Sequence, residues 1–375
     1  MMEAREAIIV KRWILMLGLI FVAGCATEPA EDGAQDETPI EQAPEQTDET
    51  ENEQTTDEGE GLAVGTSEAV ASQLEAPWSI ARIEDGWLVS ERGGTIAVID
   101  EEGNVDRQTV ELTEAVLEIG EGGLLGLALA SDFDTSRQLY AYHTYGTPGN
   151  VQNRVVELTW EEDRFVETDV ILEDIPGAQF HNGGRLLLDG EALWVTNGDA
   201  LVPDLAQDET SLAGKILRIP LSGEGEPTDW IYSSGHRNPQ GLASVDDVLY
   251  ASEHGASGHD EVNRIEQGKN YGWPLIEADE TADGLETPWF EVGSTSWAPS
   301  GIVADEEYVY MATLRGNRLV ALNRETRDVL SIIEDKGRIR DVWLEGGVLY
   351  YITNNTDGRG NPGADDDQLY RVTIR

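Results

Sequence analysis

Val248-Leu-Tyr-Ala-Ser252 is a short apolar run that closes on small residues and is introduced by the acidic turn Asp246-Asp247. Five other stretches repeat it closely: Trp87-Leu-Val-Ser, Gln138-Leu-Tyr-Ala-Tyr, Ala192-Leu-Trp-Val-Thr, Tyr308-Val-Tyr-Met-Ala and Val348-Leu-Tyr-Tyr-Ile-Thr. Several are followed by a Gly turn and a second strand-like run, as in Gly94-Thr-Ile-Ala-Val-Ile-Asp, Gly214-Lys-Ile-Leu-Arg-Ile and Gly316-Asn-Arg-Leu-Val-Ala-Leu. The runs recur every 40 to 60 residues or so, the length of a four-stranded propeller blade. Long helical periodicity is missing from this part of the chain. A β-sandwich would not repeat one phrase six times, and a parallel β-helix would repeat at a shorter period. The expected fold is therefore all-β, a six-bladed β-propeller. The last run, Gln368 to Ile374, is expected to pair with a strand from the start of the domain, leaving no free edge.

Immediately around Val248 the sequence is dense in polar chemistry. Gly235 to Asn263, GHRNPQGLASVDDVLYASEHGASGHDEVN, holds three of the five histidines, an Arg-Asn-Pro-Gln-Gly turn and a Gly-rich loop ending in a carboxylate pair. Loops at the two ends of a strand are where a β scaffold presents a site. The Ser252 to Asn263 loop has the oxygen-rich, Gly-permissive character of a hard-cation site but not the Asp spacing of an EF-hand, so a Ca²⁺ there would use backbone carbonyls. His254 and His259 suggest zinc, but no third ligand has convincing spacing.

One repeat earlier lies Gln179-Phe-His-Asn-Gly-Gly-Arg, and the run that follows ends in Thr196-Asn-Gly-Asp199. A His with a nearby Asp is the minimum apparatus of an oriented general base. The competing reading is a turn histidine held by Asn182 and the backbone. Arg237, Arg315, Arg338 and Arg340 stand in loops or strand ends of different repeats. Guanidinium forks converging from several blades would receive a planar polyanion; singly, each arginine would instead pair with a surface carboxylate.

Composition bounds the partners. The chain has 375 residues, 25 Lys plus Arg against 73 Asp plus Glu, a net charge of -48, and only four lysines. Such a surface repels nucleic acid and anionic lipid. An acidic, Lys-poor, halophile-like surface also suits life in high salt. The single cysteine, Cys25, excludes an intrachain disulfide. Lys11 and Arg12, the apolar run Trp13 to Ala23 and the Val-Ala-Gly before Cys25 read as a lipoprotein signal over 1–24, with Cys25 lipidated. An uncleaved membrane anchor is the alternative, but the run is short of the roughly 20 apolar residues a spanning helix needs. Either way the folded part is expected to be extracytoplasmic, periplasmic or at the cell surface. Residues 25–61 read as a disordered acidic linker, with fourteen acidic and no basic side chains. The remainder, 62–375, keeps 22 basic against 57 acidic residues, so the propeller domain is acidic in its own right.

Taken in order, Gly122-Gly-Leu-Leu-Gly-Leu-Ala, His181-Asn-Gly-Gly-Arg-Leu, Leu212-Ala-Gly-Lys-Ile-Leu-Arg-Ile, Gly235-His-Arg-Asn-Pro-Gln-Gly-Leu, the Ser252 to Asn263 loop, Asn270-Tyr-Gly-Trp-Pro, Ala298-Pro-Ser-Gly and Arg338-Ile-Arg-Asp resemble the soluble quinoprotein glucose dehydrogenase and aldose sugar dehydrogenase family. The resemblance runs from about Ala76 to the C-terminus. It implies a six-bladed propeller that binds pyrroloquinoline quinone (PQQ) and Ca²⁺ and oxidises the anomeric carbon of aldoses. By that resemblance His181 is the base that takes the anomeric hydroxyl proton and Asp199 orients it. Gly255 and Ala256 hold Ca²⁺ through their carbonyls with Gln240 in support. Arg237 stabilises developing negative charge. Asn238, Gln240, His254, Arg315, Arg338 and Arg340 line the cofactor, Asp260 lies beside metal and substrate, and Glu121 faces the substrate. His236 and His259, and His254 in its packing, are expected to support the site without acting as the base.

The sequence also departs from the family pattern. His254 and Ala256 stand where members often have Gln and Pro, Arg315 where they have Lys, and Glu121 where they often have Gln. Phe180 replaces an acidic sugar contact, which affects substrate preference more than chemistry. The acceptor expected for a tethered enzyme of this kind is a membrane-associated quinone or cytochrome. Two other functions fit the scaffold less well. A non-catalytic binding propeller would have no use for His181, Arg237 and the arginine pair, and a metal-dependent lactonase needs axial carboxylate and Asn ligands that are not persuasive here.

Overall fold

The computed structural model describes residues 62–375. The signal over 1–24, the lipidation at Cys25 and the linker 25–61 lie outside the described residues. Among the described residues no helix is long and apolar enough to cross a membrane.

The architecture is all-β and β-propeller-like. Four sheets have four strands each and a fifth has eight. The eight-stranded sheet divides at a short parallel pairing, Thr109 to Glu111 against Arg164 to Val166, into two antiparallel halves of four strands. That join departs from a simple chain of separate repeats. Only the first three residues of the outermost strand of the second half, Arg164–Pro176, make it. Among the described residues, helical content is limited to one turn at Phe133–Ser136 and two 3-10 segments, Pro203–Gln207 and Pro227–Trp230.

The repeated phrase occupies the same place each time. Gly86–Glu91, Gln138–Thr147, Ala192–Asn197, Val248–Glu253, Tyr308–Thr313 and Val348–Thr353 are each second in their four-stranded set, hydrogen-bonded on both edges. Ala192–Asn197 and Tyr308–Thr313 are buried at every position, since neighbouring sheets cover both faces. This explains the lack of alternation in the sequence: a strand buried on both faces reads as a continuous apolar run. The innermost strands, Pro77–Ile83, Leu124–Leu129, Leu186–Asp189, Pro239–Val245, Pro299–Ala304 and Ile339–Glu345, contact one another in a ring that returns to its start.

The two ends of the described residues meet in one sheet. Glu68–Ala71 pairs with Leu369–Thr373, with Glu68 opposite Arg371 and Ala71 opposite Leu369, so the last set borrows its outer strand from the start of the domain. The core lies between the sheets. Trp78, Leu125, Tyr142, Leu193, Val195 and Leu217 form one buried cluster that crosses three strand sets, and Tyr310, Leu319, Val342, Tyr351 and Val372 form another.

Candidate active site

In an antiparallel pair the start of the first strand and the end of the second lie at the same end. Loops before the innermost strands and after the second strands therefore collect at one end of the ring. Glu121 precedes Leu124–Leu129, His181 precedes Leu186–Asp189, and Asp199 follows Ala192–Asn197. Arg237 and Asn238 precede Pro239–Val245, the 254–260 loop follows Val248–Glu253, and Arg315 follows Tyr308–Thr313. Gln240 and Arg340 sit at the starts of two innermost strands, with Arg338 just ahead of the second.

His181 and Asp199 meet there. His181 Nδ1 lies 2.7 Å from Asp199 Oδ1, and the Asp199 side chain is fully buried whereas that of His181 is 15 % exposed. A carboxylate only accepts, so the proton sits on Nδ1 and Nε2 is left as the free acceptor. The other carboxylate oxygen accepts from Trp273 Nε1 at 2.8 Å, and Oδ1 also takes the Leu201 N–H at 2.8 Å. The backbone is bent to suit: His181 adopts a left-handed φ of 61°, sparsely populated for a non-glycine residue. Its carbonyl packs against Gly198, where a Cβ would fall 2.0 Å from the His181 oxygen. Only glycine permits that approach. Asn182 is bound to Ala178 and Asn153, so it holds the loop while His181 stays paired with Asp199.

Glu121 links three loops. Oε2 accepts from the His181 backbone N–H at 3.3 Å and from Asn238 Nδ2 at 3.4 Å, and Oε1 pairs with Arg359 Nη1 at 2.9 Å. Burial opposes its charge, but His254, Arg359 and Arg340 outweigh burial and bring its pKa down to about 2. Asn238 also accepts the Gly183 N–H at 3.1 Å, fixing the glycine pair after His181.

The arginines fall into two groups. Arg340 is buried; Nη1 donates to Gln240 Oε1 at 2.8 Å and Nη2 to Asn354 at 3.2 Å, while Nε has no partner among the described residues. Burial brings its pKa down to about 9, which leaves it charged at neutral pH. Arg237 likewise has a buried, unpartnered Nε; its Nη1 donates to the His254 carbonyl at 3.2 Å and its guanidinium lies 5.4 Å from the Trp273 ring centre. These two carry donors with unfilled capacity. Arg338, by contrast, is paired with the buried Asp357 at 2.7 Å, and Arg315 is exposed, tied in only through its backbone to Trp297.

The 254–260 loop is folded tightly. A Cβ on Gly255 would fall 2.0 Å from the Gly258 carbonyl oxygen. Gly255 N–H donates to Asp260 Oδ1 at 2.9 Å, and Asp260 Oδ2 takes Ser296 Oγ and the backbone N–H groups of Trp297 and Ala298. Asp260 is fully buried, and these four hydrogen bonds tie it to its own loop and to the 296–298 segment. It organises this loop. His254 Nε2 donates to the Pro299 carbonyl at 2.7 Å, and burial lowers its pKa. A small cavity is walled by Arg237, His254, Gly255, Ala256 and Trp273 together with Glu253 and Glu261. Burial and the neighbouring Glu253 push the Glu261 carboxyl up to about 8. No group of three or more His, Cys, Asp or Glu side chains among the described residues is placed to hold a metal ion. The expected use of the Gly255 and Ala256 carbonyls for a hard cation calls for no such side-chain group.

His236 is fully buried, bound to Glu253 and Ser233 and stacked on Tyr271, while His259 binds Glu291. Neither faces His181. Trp273 and Arg359 were not anticipated. Trp273 belongs to the Asn270-Tyr-Gly-Trp-Pro string, whose spacing gives no sign that its indole reaches Asp199. Arg359 lies in a Gly- and Asp-rich loop with no counterpart in the other repeats.

Residues 74–371 match the family model described as Glucose / Sorbosone dehydrogenase. Aldose sugar dehydrogenase of Escherichia coli is 29 % identical over 337 residues, covering 78 % of this chain and 90 % of that protein. Among solved structures, the PQQ-bound form of aldose sugar dehydrogenase from Streptomyces coelicolor superposes with a TM-score of 0.77 at 35 % identity, covering 84 % of this chain and 98 % of the other. A protein of Thermus thermophilus described as an oxidoreductase (glucose dehydrogenase) gives 0.76 at 36 % identity, covering 83 % and 100 %.

Proposed function

The chain belongs to the glucose/sorbosone dehydrogenase family, the soluble quinoprotein sugar dehydrogenases, and on that premise we propose that it is a PQQ- and Ca²⁺-dependent aldose dehydrogenase that converts sugars to lactones on a six-bladed propeller. The observation that carries this reading is the His181–Asp199 pair at 2.7 Å, at the same end of the ring as two arginines, Arg237 and Arg340, whose buried Nε donors lack partners among the described residues. A planar tricarboxylate suits such donors. Arg237, Asn238, Gln240, His254 and Arg340 would hold it, with Arg315 and Arg338 at its edges. The Gly255 and Ala256 carbonyls, with Gln240 nearby, suit an oxygen-seeking cation. When bound, the quinone supplies a two-electron acceptor for the hydride of the anomeric carbon.

The chain's own part is proton management and charge stabilisation. Free Nε2 of His181 takes the proton of the anomeric hydroxyl, and Asp199 stabilises the imidazolium that forms. Asp199 in turn is fixed by Trp273, so the ring keeps one orientation through the cycle. Arg237, stacked on the same Trp273, faces the region where negative charge develops. The sequence reading of 1–61 adds a lipid anchor at Cys25 and an extracytoplasmic setting, for which a membrane-associated quinone or cytochrome is the fitting acceptor.

Protein mixed with PQQ and Ca²⁺ is expected to reduce an artificial dye when given aldoses. His181→Ala should abolish turnover while cofactor binding, followed by its absorbance, is retained. Cofactor binding without dye reduction on any sugar would instead indicate a binding propeller.

A further inference from the structure

Arg359 stands one side chain away from the candidate base. Its Nη1 donates to Glu121 Oε1 at 2.9 Å, and Glu121 Oε2 accepts the His181 backbone N–H at 3.3 Å. The guanidinium carbon lies 5.1 Å from the ring centre of Phe180, the residue before His181. Arg359 is held in this position from two sides. Phe180 supports one face, and the loop behind is anchored by Asp357, whose buried carboxylate grips Arg338 and also takes the Arg359 backbone N–H at 2.9 Å. The guanidinium is nevertheless open: the side chain is 46 % exposed, and Nε and Nη2 have no partner among the described residues.

Arg359 therefore presents a free Nε–Nη2 edge at the rim of the site. That edge is the part of an arginine that takes a carboxylate through two parallel hydrogen bonds. Glu121 uses only Nη1, so its pairing orients the fork without filling it. Arg315, Lys336 and Arg338 line the same hollow, together with Glu334, Asp335 and Asp366. In a chain with 25 basic against 73 acidic residues, Arg359 keeps two exposed donors without a carboxylate partner among the described residues while lying one side chain from the His181 backbone. A neutral sugar offers this edge single hydroxyl contacts, whereas a sugar carboxylate matches it bidentately.

Resting on the sugar dehydrogenase reading, we propose that Arg359 is a specificity-determining residue that selects aldoses carrying a carboxylate remote from the anomeric carbon, the uronic acids. The test measures binding without turnover. Full-length His181→Ala protein supplied with PQQ and Ca²⁺ is titrated calorimetrically with sodium glucuronate and with glucose, and the titrations are repeated after adding Arg359→Ala or Arg359→Lys.

Glucuronate is expected to bind more tightly than glucose. Arg359→Ala should reduce the glucuronate-to-glucose affinity ratio about tenfold, Arg359→Lys should reduce it less because charge survives without the fork, and added KCl should weaken glucuronate selectively. An unchanged ratio in Arg359→Ala overturns the proposal, as does a parent that binds glucuronate no better than glucose. If Arg359→Ala does not fold, Arg359→Lys and Arg359→Gln decide by the same ratio. Failure of dye reduction on every sugar would count against the dehydrogenase reading and leave the titration to judge Arg359.

Discussion

At the scale of single residues, Glu121 ties together more of the site than its place in the sequence suggests. It joins the backbone of His181, the amide of Asn238 and the guanidinium of Arg359. Burial alone would raise its pKa, but the cationic neighbours prevail and bring it to about 2, against an ordinary value of 4.5. A folded-state pKa below the unfolded one adds stability that is complete above the unfolded value and lost as pH falls toward the folded one. Thermal unfolding of wild type and Glu121→Gln should therefore differ by a constant amount from pH 7 to 5, and the gap should shrink steadily as pH falls from about 4.5 toward about 2. A gap of unchanged size all the way down to pH 2 would show that the difference does not come from an ionised carboxylate. His181 and Asp199 were legible as candidates because each stands beside a glycine turn at the edge of an apolar run, whereas Glu121 entered only through the family resemblance. Trp273 was not, because an indole that donates to a carboxylate 74 positions away leaves no periodic trace.

The strands explain why the readable part was readable. An interior strand covered on both faces must be apolar throughout, and a turn at its end must be small or polar, so the phrase recurs wherever that environment recurs. The strand ends also meet a packing limit. Gly198 closes the Ala192–Asn197 strand against the His181 carbonyl, with no room for a Cβ. Gly198→Ala should cost about 1–3 kcal/mol, the usual range for forcing atoms into a filled space. The urea midpoint should fall at unchanged m-value, and kcat should fall with it as His181 is displaced. A stable variant with full kcat would mean that the loop relaxes freely. The parallel join between the Val105–Glu111 and Arg164–Pro176 strands was not legible. Edge-to-edge pairing depends on strand length and direction, and neither is written in the apolar pattern.

For the whole molecule, closure is the feature with a measurable consequence. The strand Glu68–Ala71 completes the sheet of Leu369–Thr373 and covers an edge that would otherwise be open. A chain starting at Leu62 is expected to unfold at the same temperature as the full chain if 25–61 is the acidic linker its composition suggests. A chain starting at Gln73 loses the pairing and should melt several degrees lower, at roughly 2–4 °C per kcal/mol for a domain of about this size or somewhat smaller. Equal melting temperatures would remove the strand from any role in closure. By itself the sequence determined the all-β class, the repeat, the acidic character and the short list of chemically able residues, because composition and period follow directly from burial and turn geometry. Only the tertiary structure decided which of those residues meet. It brought His181 to Asp199 and Trp273, enclosed Asp260 among loop donors, paired Arg338 with Asp357, and set Arg359 beside Glu121 from 238 positions away. Those pairings depend on loops from different strand sets converging at one end of a ring, and only the closed ring puts them within hydrogen-bond reach.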